Sequence, residues 1–213
     1  MVKDYPDSIK LVERLTDIAH YLAPYKDFDE IRKSASEIYK QLKKYPDNES
    51  IAENYVLILD CLCDEGEKIG SLVDKIKDYH LMYPHNTTIT NSYAGVLSMV
   101  VEEQSLSGME KTLDVMWDLI LQNPELDEIF SFYKDAFNRY KSSLPEERNR
   151  LFFNYHLWLE KSVIQVEKST GEVVGEYETV LDACKVAKAS PITMHKSVID
   201  NTFSDNEYDW IIL

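Results

Sequence analysis

Apolar residues recur along this chain in steps of four, three and four, each series counted from a Tyr-Pro or Asn-Pro pair. From Pro6 the series is Leu11, Leu15, Ile18 and Leu22; from Pro46 it is Ile51, Tyr55, Ile58 and Leu62. From Pro84 it is Ile89, Tyr93, Val96 and Val100, and from Pro124 it is Ile129, Tyr133, Ala136 and Tyr140. These steps keep each series on one stripe of a 3.6-residue helix. Counting backwards from the last three prolines gives a second stripe: Ala35, Ile38 and Leu42; Val73, Ile76 and His80; Leu113, Met116 and Ile120. The prolines stand 40, 38 and 40 residues apart. A proline ends one helix and fits the first turn of the next. The marks Tyr5-Pro6-Asp7, Tyr45-Pro46-Asp47-Asn48, Tyr83-Pro84-His85-Asn86 and Asn123-Pro124-Glu125 therefore predict helix, bend, helix. A period of this length, with neither helix able to bury its stripe alone, is the signature of a stacked helical array. The recurrent Tyr55, Tyr93 and Tyr133 read as core, with hydroxyls reaching the edge.

The predicted helices run over 7–24, 28–44, 48–65, 67–82, 87–104, 108–122, 126–142 and 146–161. Asp7 or Ser8 is expected to cap the first, and Thr87 or Thr88 the fifth. Lys43 and Lys44 suit the negative end of the second helix dipole. Acidic Asp64-Glu65-Gly66-Glu67 and small, polar Ser105-Leu106-Ser107-Gly108 divide the second and third pairs.

After Lys161 the period changes. Val163-Ile164-Gln165-Val166 and Glu172-Val173-Val174-Gly175-Glu176-Tyr177 alternate as strands, joined by Lys168-Ser169-Thr170-Gly171, where glycine accepts a positive φ. Two short helices follow, over 179–188 and 191–200, the second with Ser190 as cap and Pro191 at its first position. Tyr208 to Ile212 reads as a closing strand. The expected fold is mostly α: a stacked α-hairpin array over 1–161, of about four helix pairs, then a small ββααβ, helix-turn-helix-like module over 162–213.

The hinge-bearing helix pairs over about 4–160 resemble tetratricopeptide-type repeats, although the units exceed that family's 34-residue period. A small residue in the first helix is present at Ala94 but replaced by Val56, so a divergent helical-repeat class stays open. The resemblance implies a protein or peptide partner on a concave face, where Asn54 and Asn91 are candidate anchors for a peptide backbone; ordinary solvated positions are the plainer reading of both. Residues 163–212 resemble the nuclease-associated modular domain of intron-encoded homing endonucleases. The likeness rests on Val163 to Val166, Thr170 to Val174, Tyr177, Val180, Ala183, the Lys188-Ala189-Ser190 break and Trp210. It implies DNA contact through a recognition helix from Ile192 to Ile199, with Ser190, Thr193, His195, Lys196 and Ser197 as candidate contacts. Helix-turn-helix logic sets the start of such a helix in the major groove. The turn Ala187-Lys188-Ala189 has no glycine, and Ser204-Asp205-Asn206-Glu207-Tyr208-Asp209 is acidic. A module that docks on protein, caps the array or mediates homo-oligomer formation is the competing role.

Charge bears on that choice. The formal net charge is −15, and residues 161–213 contribute −4 of it, which is unlike a general nucleic-acid or anionic-membrane binder. No apolar run is long enough for a membrane span, and the N-terminus shows no secretory signal. Cys61, Cys63 and Cys184 make an odd set without framework or zinc spacing, consistent with reduced thiols in a cytoplasmic protein. There is no glycine-rich phosphate loop, and Ser, Cys and Thr lack nucleophile signatures. His80 and His156 read as packed side chains, and His20 with Asp17 as a surface pair. The expectation is a non-enzymatic protein with no cofactor and no metal.

Overall fold

A computed structural model describes residues 8–64, 69–145, 158–197 and 202–213, without the side chains of Asp64, Lys196 and Ser197. The first hinge, the acidic divider at 65–67, residues 146–157 of the helix expected over 146–161, His156 and the end of the expected recognition helix at Ile199 lie outside the described residues. The described chain is mostly helical, with a small antiparallel sheet near its C-terminus.

Seven helices precede the sheet among the described residues: α1 (Ile9–Tyr21), α2 (Phe28–Lys44), α3 (Glu49–Asp64), α4 (Ile69–Met82), α5 (Thr87–Val100), α6 (Leu106–Gln122) and α7 (Asp127–Ser143). By its internal contacts the chain divides into two compact units. One unit comprises Met1–Val100 with Leu126–Phe132; the other comprises Val101–Glu125 with Tyr133–Leu213. The module shares a unit with α6 and most of α7 because the second of its short helices packs against α6.

In the first unit α2 packs on α3 and α4 on α5, while α1 lies along α3 and α3 along α5. The hinge asparagines explain the exact bends. Asn48 Oδ1 accepts the Ile51 N–H at 2.9 Å, capping α3, and its amide donates back to Glu13 Oε1 on α1 at 2.8 Å. Asn86 repeats the device: Oδ1 accepts the Ile89 N–H at 2.9 Å, and the amide donates to Glu49 and Glu53, both at 2.9 Å. Each asparagine so satisfies an orphan amide of the new helix and ties it to the first helix of the unit before. Asn86 is the cap of α5, in place of the expected Thr87 or Thr88. In the fourth hinge Leu126 holds that position, and Asn91 on α5 bonds Glu128 on α7 instead.

The forward stripe is buried in three units, through Ile51, Tyr55, Ile58 and Leu62; Ile89, Tyr93, Val96 and Val100; and Ile129, Tyr133, Ala136 and Tyr140. The Tyr133 hydroxyl is itself buried and does not reach the edge. The backward stripe is buried through Ala35, Ile38, Leu42, Ile76, His80, Leu113, Met116 and Ile120, with Val73 half-buried. Helix α1 departs from the expectation: Leu15, Ile18 and Leu22 are exposed, and Val12 and Thr16 are buried in their stead. These two stand at the positions that Ala52 and Val56 hold on α3, the side a first helix turns toward the next unit.

The second unit ends in β1 (Val163–Glu167), β2 (Val173–Tyr177), α8 (Val180–Ala187), α9 (Pro191–Ser197), β3 (Thr202–Ser204) and β4 (Tyr208–Ile212). The module is ββααββ, one strand more than expected. The sheet order is β2-β1-β4-β3, all antiparallel, with Val163 opposite both Tyr177 and Ile212. Val163, Gln165, Phe203, Trp210 and Ile212 face the core with Val180, Ala183, Cys184, Ile192 and Met194. Gly171 takes the positive φ, +74°, that its turn was expected to need. Gly175, opposite Gln165, leaves room for the Tyr177 hydroxyl to donate to Gln165 Oε1 at 2.7 Å; a Cβ would lie within 3 Å of both.

The unexpected strand exists because the acidic run is a turn built on Asp205. Its carboxylate accepts the backbone N–H groups of Glu207 and Tyr208 at 2.8 and 2.7 Å and the indole N–H of Trp210 at 2.8 Å. Burial alone would raise the Asp205 pKa, but these donors, with Lys168 nearby, hold it below the usual carboxylate value. At three residues, Thr202–Ser204 is too short for the alternation around its buried Phe203 to mark it as a strand.

Candidate functional site

The short helices α8 and α9 are set by local chemistry. The Thr179 hydroxyl caps α8 by accepting the Asp182 N–H at 3.1 Å. Lys188 ends α8 at φ +51°, the left-handed conformation that the absent glycine would have supplied. Ser190 caps α9 as expected, accepting the Thr193 N–H at 3.2 Å. Ile192 and Met194 point into the module, and the Cys184 thiol contacts Met194 Sδ at 3.6 Å. Burial pushes that thiol up to about 12, which leaves it protonated and unreactive.

The amino end of α9 faces α6. The Ser190 hydroxyl donates to Asp114 Oδ1 at 2.6 Å and lies 3.0 Å from Thr193 Oγ1. The Thr193 hydroxyl in turn stands 3.5 Å from the same carboxylate oxygen. Ser190 is only 7% exposed. His195 packs edge-on against Trp158, ring centres 4.8 Å apart, and its burial lowers the imidazole pKa, so the ring is neutral near pH 7. Two of the five residues expected to meet DNA, Ser190 and Thr193, thus meet at a protein contact centred on an acidic side chain, and a third, His195, packs against Trp158. The side chains of Lys196 and Ser197 lie outside the described residues. Sequence reasoning missed Asp114, because nothing in a helical stripe marks which exposed carboxylate a segment 76 residues away will meet.

The candidate peptide anchors fare differently from each other. Asn54 is 6% exposed and donates to Thr16 Oγ1 on α1 at 3.1 Å, so it is neither solvated nor open to a peptide. Asn91 stays half-buried and bonds Glu128. His80 is a packed histidine, stacked 5.2 Å from Tyr93 and 3.2 Å from Thr90 Oγ1. A groove of about 420 Å³ lies nearby, lined by Tyr39, Tyr55, Lys75, Asp78, Tyr79 and Met82. Tyr39 stacks on Tyr55 at 5.4 Å, Tyr79 meets Tyr55 edge-on at 5.7 Å, and Lys43 stands over Tyr39 at 4.6 Å. Burial raises the pKa of Tyr55 and Tyr79, which keeps both as hydroxyl donors. The groove so presents ring faces and hydroxyl donors.

Among the described residues no group of three or more His, Cys, Asp or Glu side chains is placed to hold a metal ion. No helix among them is long and apolar enough to cross a membrane. Comparison with protein-family models, with curated proteins and with solved structures finds no match.

Proposed function

We propose that this protein is a non-catalytic adaptor, a helical-repeat scaffold of tetratricopeptide-like type that binds a protein partner on its array. Its C-terminal module docks on α6 and serves as a structural cap there, in preference to reading DNA. The observation that carries this reading is the bond from Ser190 to Asp114. A phosphate approaching the start of α9 would have to displace a carboxylate and face its charge, with no imidazolium at His195 to offset it. The net charge of −15 works in the same direction. The regular stripes and the Asn48 and Asn86 ties support a stacked array.

Two measurements test the reading. Full-length protein titrated against labelled duplex DNA at low and moderate salt is expected to show no saturable, salt-sensitive association. Binding that Lys196→Ala weakens would overturn the protein-only assignment. A double-mutant cycle of Ser190→Ala and Asp114→Ala, followed by tryptophan fluorescence, is expected to give a coupling of about 0.5–1.5 kcal/mol. Trp117, Trp158 and Trp210 all belong to this unit, so the signal reports on it. Strict additivity would remove the docking half of the proposal.

A further inference from the structure

The groove of about 420 Å³ over Tyr55 has the size of a ligand cleft and is lined wholly from the first unit. Tyr55 on α3 is 5% exposed and belongs to the core. Tyr39 on α2 and Met82 on α4 stand 41% and 55% exposed, outside both apolar stripes. Core packing therefore accounts for the floor of the groove and leaves its two walls unexplained. The groove also gathers hydroxyl donors. Tyr83, at the next hinge, donates to the Pro46 carbonyl at 3.4 Å; among the described residues the hydroxyls of Tyr39, Tyr55 and Tyr79 make no such bond. Charge in the groove is mixed, since Lys75 and Asp78 both line it and Lys43 stands on the Tyr39 ring. Cations already in place disfavour a cationic ligand, and the carboxylate disfavours an anion.

We propose that this groove binds a proline-rich segment of a partner protein in the polyproline II conformation. This rests on the scaffold reading above and names its partner class. Three peptide forms compete for such a cleft, and backbone chemistry separates them. A helix keeps its carbonyls bonded within itself and offers tyrosine hydroxyls no backbone acceptor. A strand needs an open sheet edge, whereas α2, α3 and α4 present only helical backbone. Polyproline II has no internal hydrogen bonds, so its carbonyls are free to accept, and its pyrrolidine rings lie against aromatic side chains. The scale agrees. Ring separations of 5.4 and 5.7 Å hold Tyr39 and Tyr79 within roughly 11 Å of each other, close to one three-residue turn at about 3.1 Å per residue. The bond from Tyr83 to Pro46 shows the polar half of the contact already in use within the fold.

The probe is a fluorescein-labelled decaproline peptide, titrated into the full-length chain and read by anisotropy, with a Gly-Ser peptide of equal length as control. Saturable binding of decaproline alone is expected. Tyr39→Ala should weaken it at least about fivefold by removing a wall, and Tyr79→Phe about two- to tenfold by removing one hydroxyl. Tyr39 is largely in solvent and Tyr79→Phe keeps the ring, so both proteins are expected to keep the wild-type far-UV circular dichroism melt. No binding to the folded wild-type chain, equal binding of the Gly-Ser peptide, or binding indifferent to both substitutions would overturn the proposal. Binding of a trimethyl-lysine peptide with decaproline silent would overturn it in favour of an ammonium cage. Duplex DNA binding weakened by Lys196→Ala would count against the scaffold reading and leave the decaproline isotherm in place, so the two failures are distinguishable.

Discussion

Ile18 and Ile58 hold the same place in the repeat, twelve residues beyond Pro6 and Pro46, and the fold treats them oppositely. Ile58 is 0% exposed and Ile18 is 53% exposed. Ile58→Ala removes carbon from a packed seam and leaves a cavity, a change that costs about 2–5 kcal/mol. Ile18→Ala deletes atoms that already stand half in water. Burying an isoleucine completely is worth roughly 1.5–3 kcal/mol, so the loss at Ile18 should stay below about 1 kcal/mol. The better helix propensity of alanine offsets a few tenths of that, on the order of 0.4 kcal/mol. At about 2–4 °C per kcal/mol for a chain of this size, Ile58→Ala should lower the melting midpoint by roughly 4–20 °C and Ile18→Ala by under about 2.5 °C. Far-UV circular dichroism is the assay, because all three tryptophans sit in the other unit and their fluorescence would miss the effect. Equal losses at the two positions would refute the exposure assigned to α1.

Asn86→Asp keeps a good helix cap but sets a carboxylate against Glu49 and Glu53 where an amide now donates to both. It should destabilise the first unit by about 1 kcal/mol or more at low salt, with the deficit shrinking as salt is added; a salt-independent deficit in urea melts would contradict the reasoning. Acid should weaken the fold through His20, His80 and His195. Burial lowers all three pKa values, outweighing the opposing pull of Asp17 and Glu53 on His20. Neutral rings are favoured in the folded state, so stability is complete above the ordinary value of 6.5 and is lost as pH falls below it. Urea midpoints compared at about pH 7.5 and about pH 5.5 should fall, and a flat or rising profile would contradict the assignment.

The helices were legible because their determinants are local. Apolar spacing, Pro46, Pro84 and Pro124, and the cap Ser190 act within a few residues, and α2 and β4 begin and end where the pattern places them. The hairpin was legible for the same reason, through alternation and Gly171. Strand β3 was not, since Thr202–Ser204 is ordered by the Asp205 turn and by pairing with β4, neither of which leaves a periodic mark. The expectation of DNA contacts at Ser190, Thr193 and His195 came from their positions on and before one short helix, and their surroundings were invisible in the sequence. Asp114 and Trp158 reach that helix only through chain folding.

Sequence alone therefore determined that the chain makes Pro-hinged helix pairs followed by a hairpin-led module, because each such element is decided by neighbours in the chain. It also determined which faces are apolar. Tertiary structure decided which of those faces are covered: the same stripe is core on α3, α5 and α7 but exposed at Leu15, Ile18 and Leu22 on α1, because burial depends on what lies opposite. It likewise decided that the start of α9 meets a carboxylate, since the identity of a distant partner is a property of packing and not of any one segment.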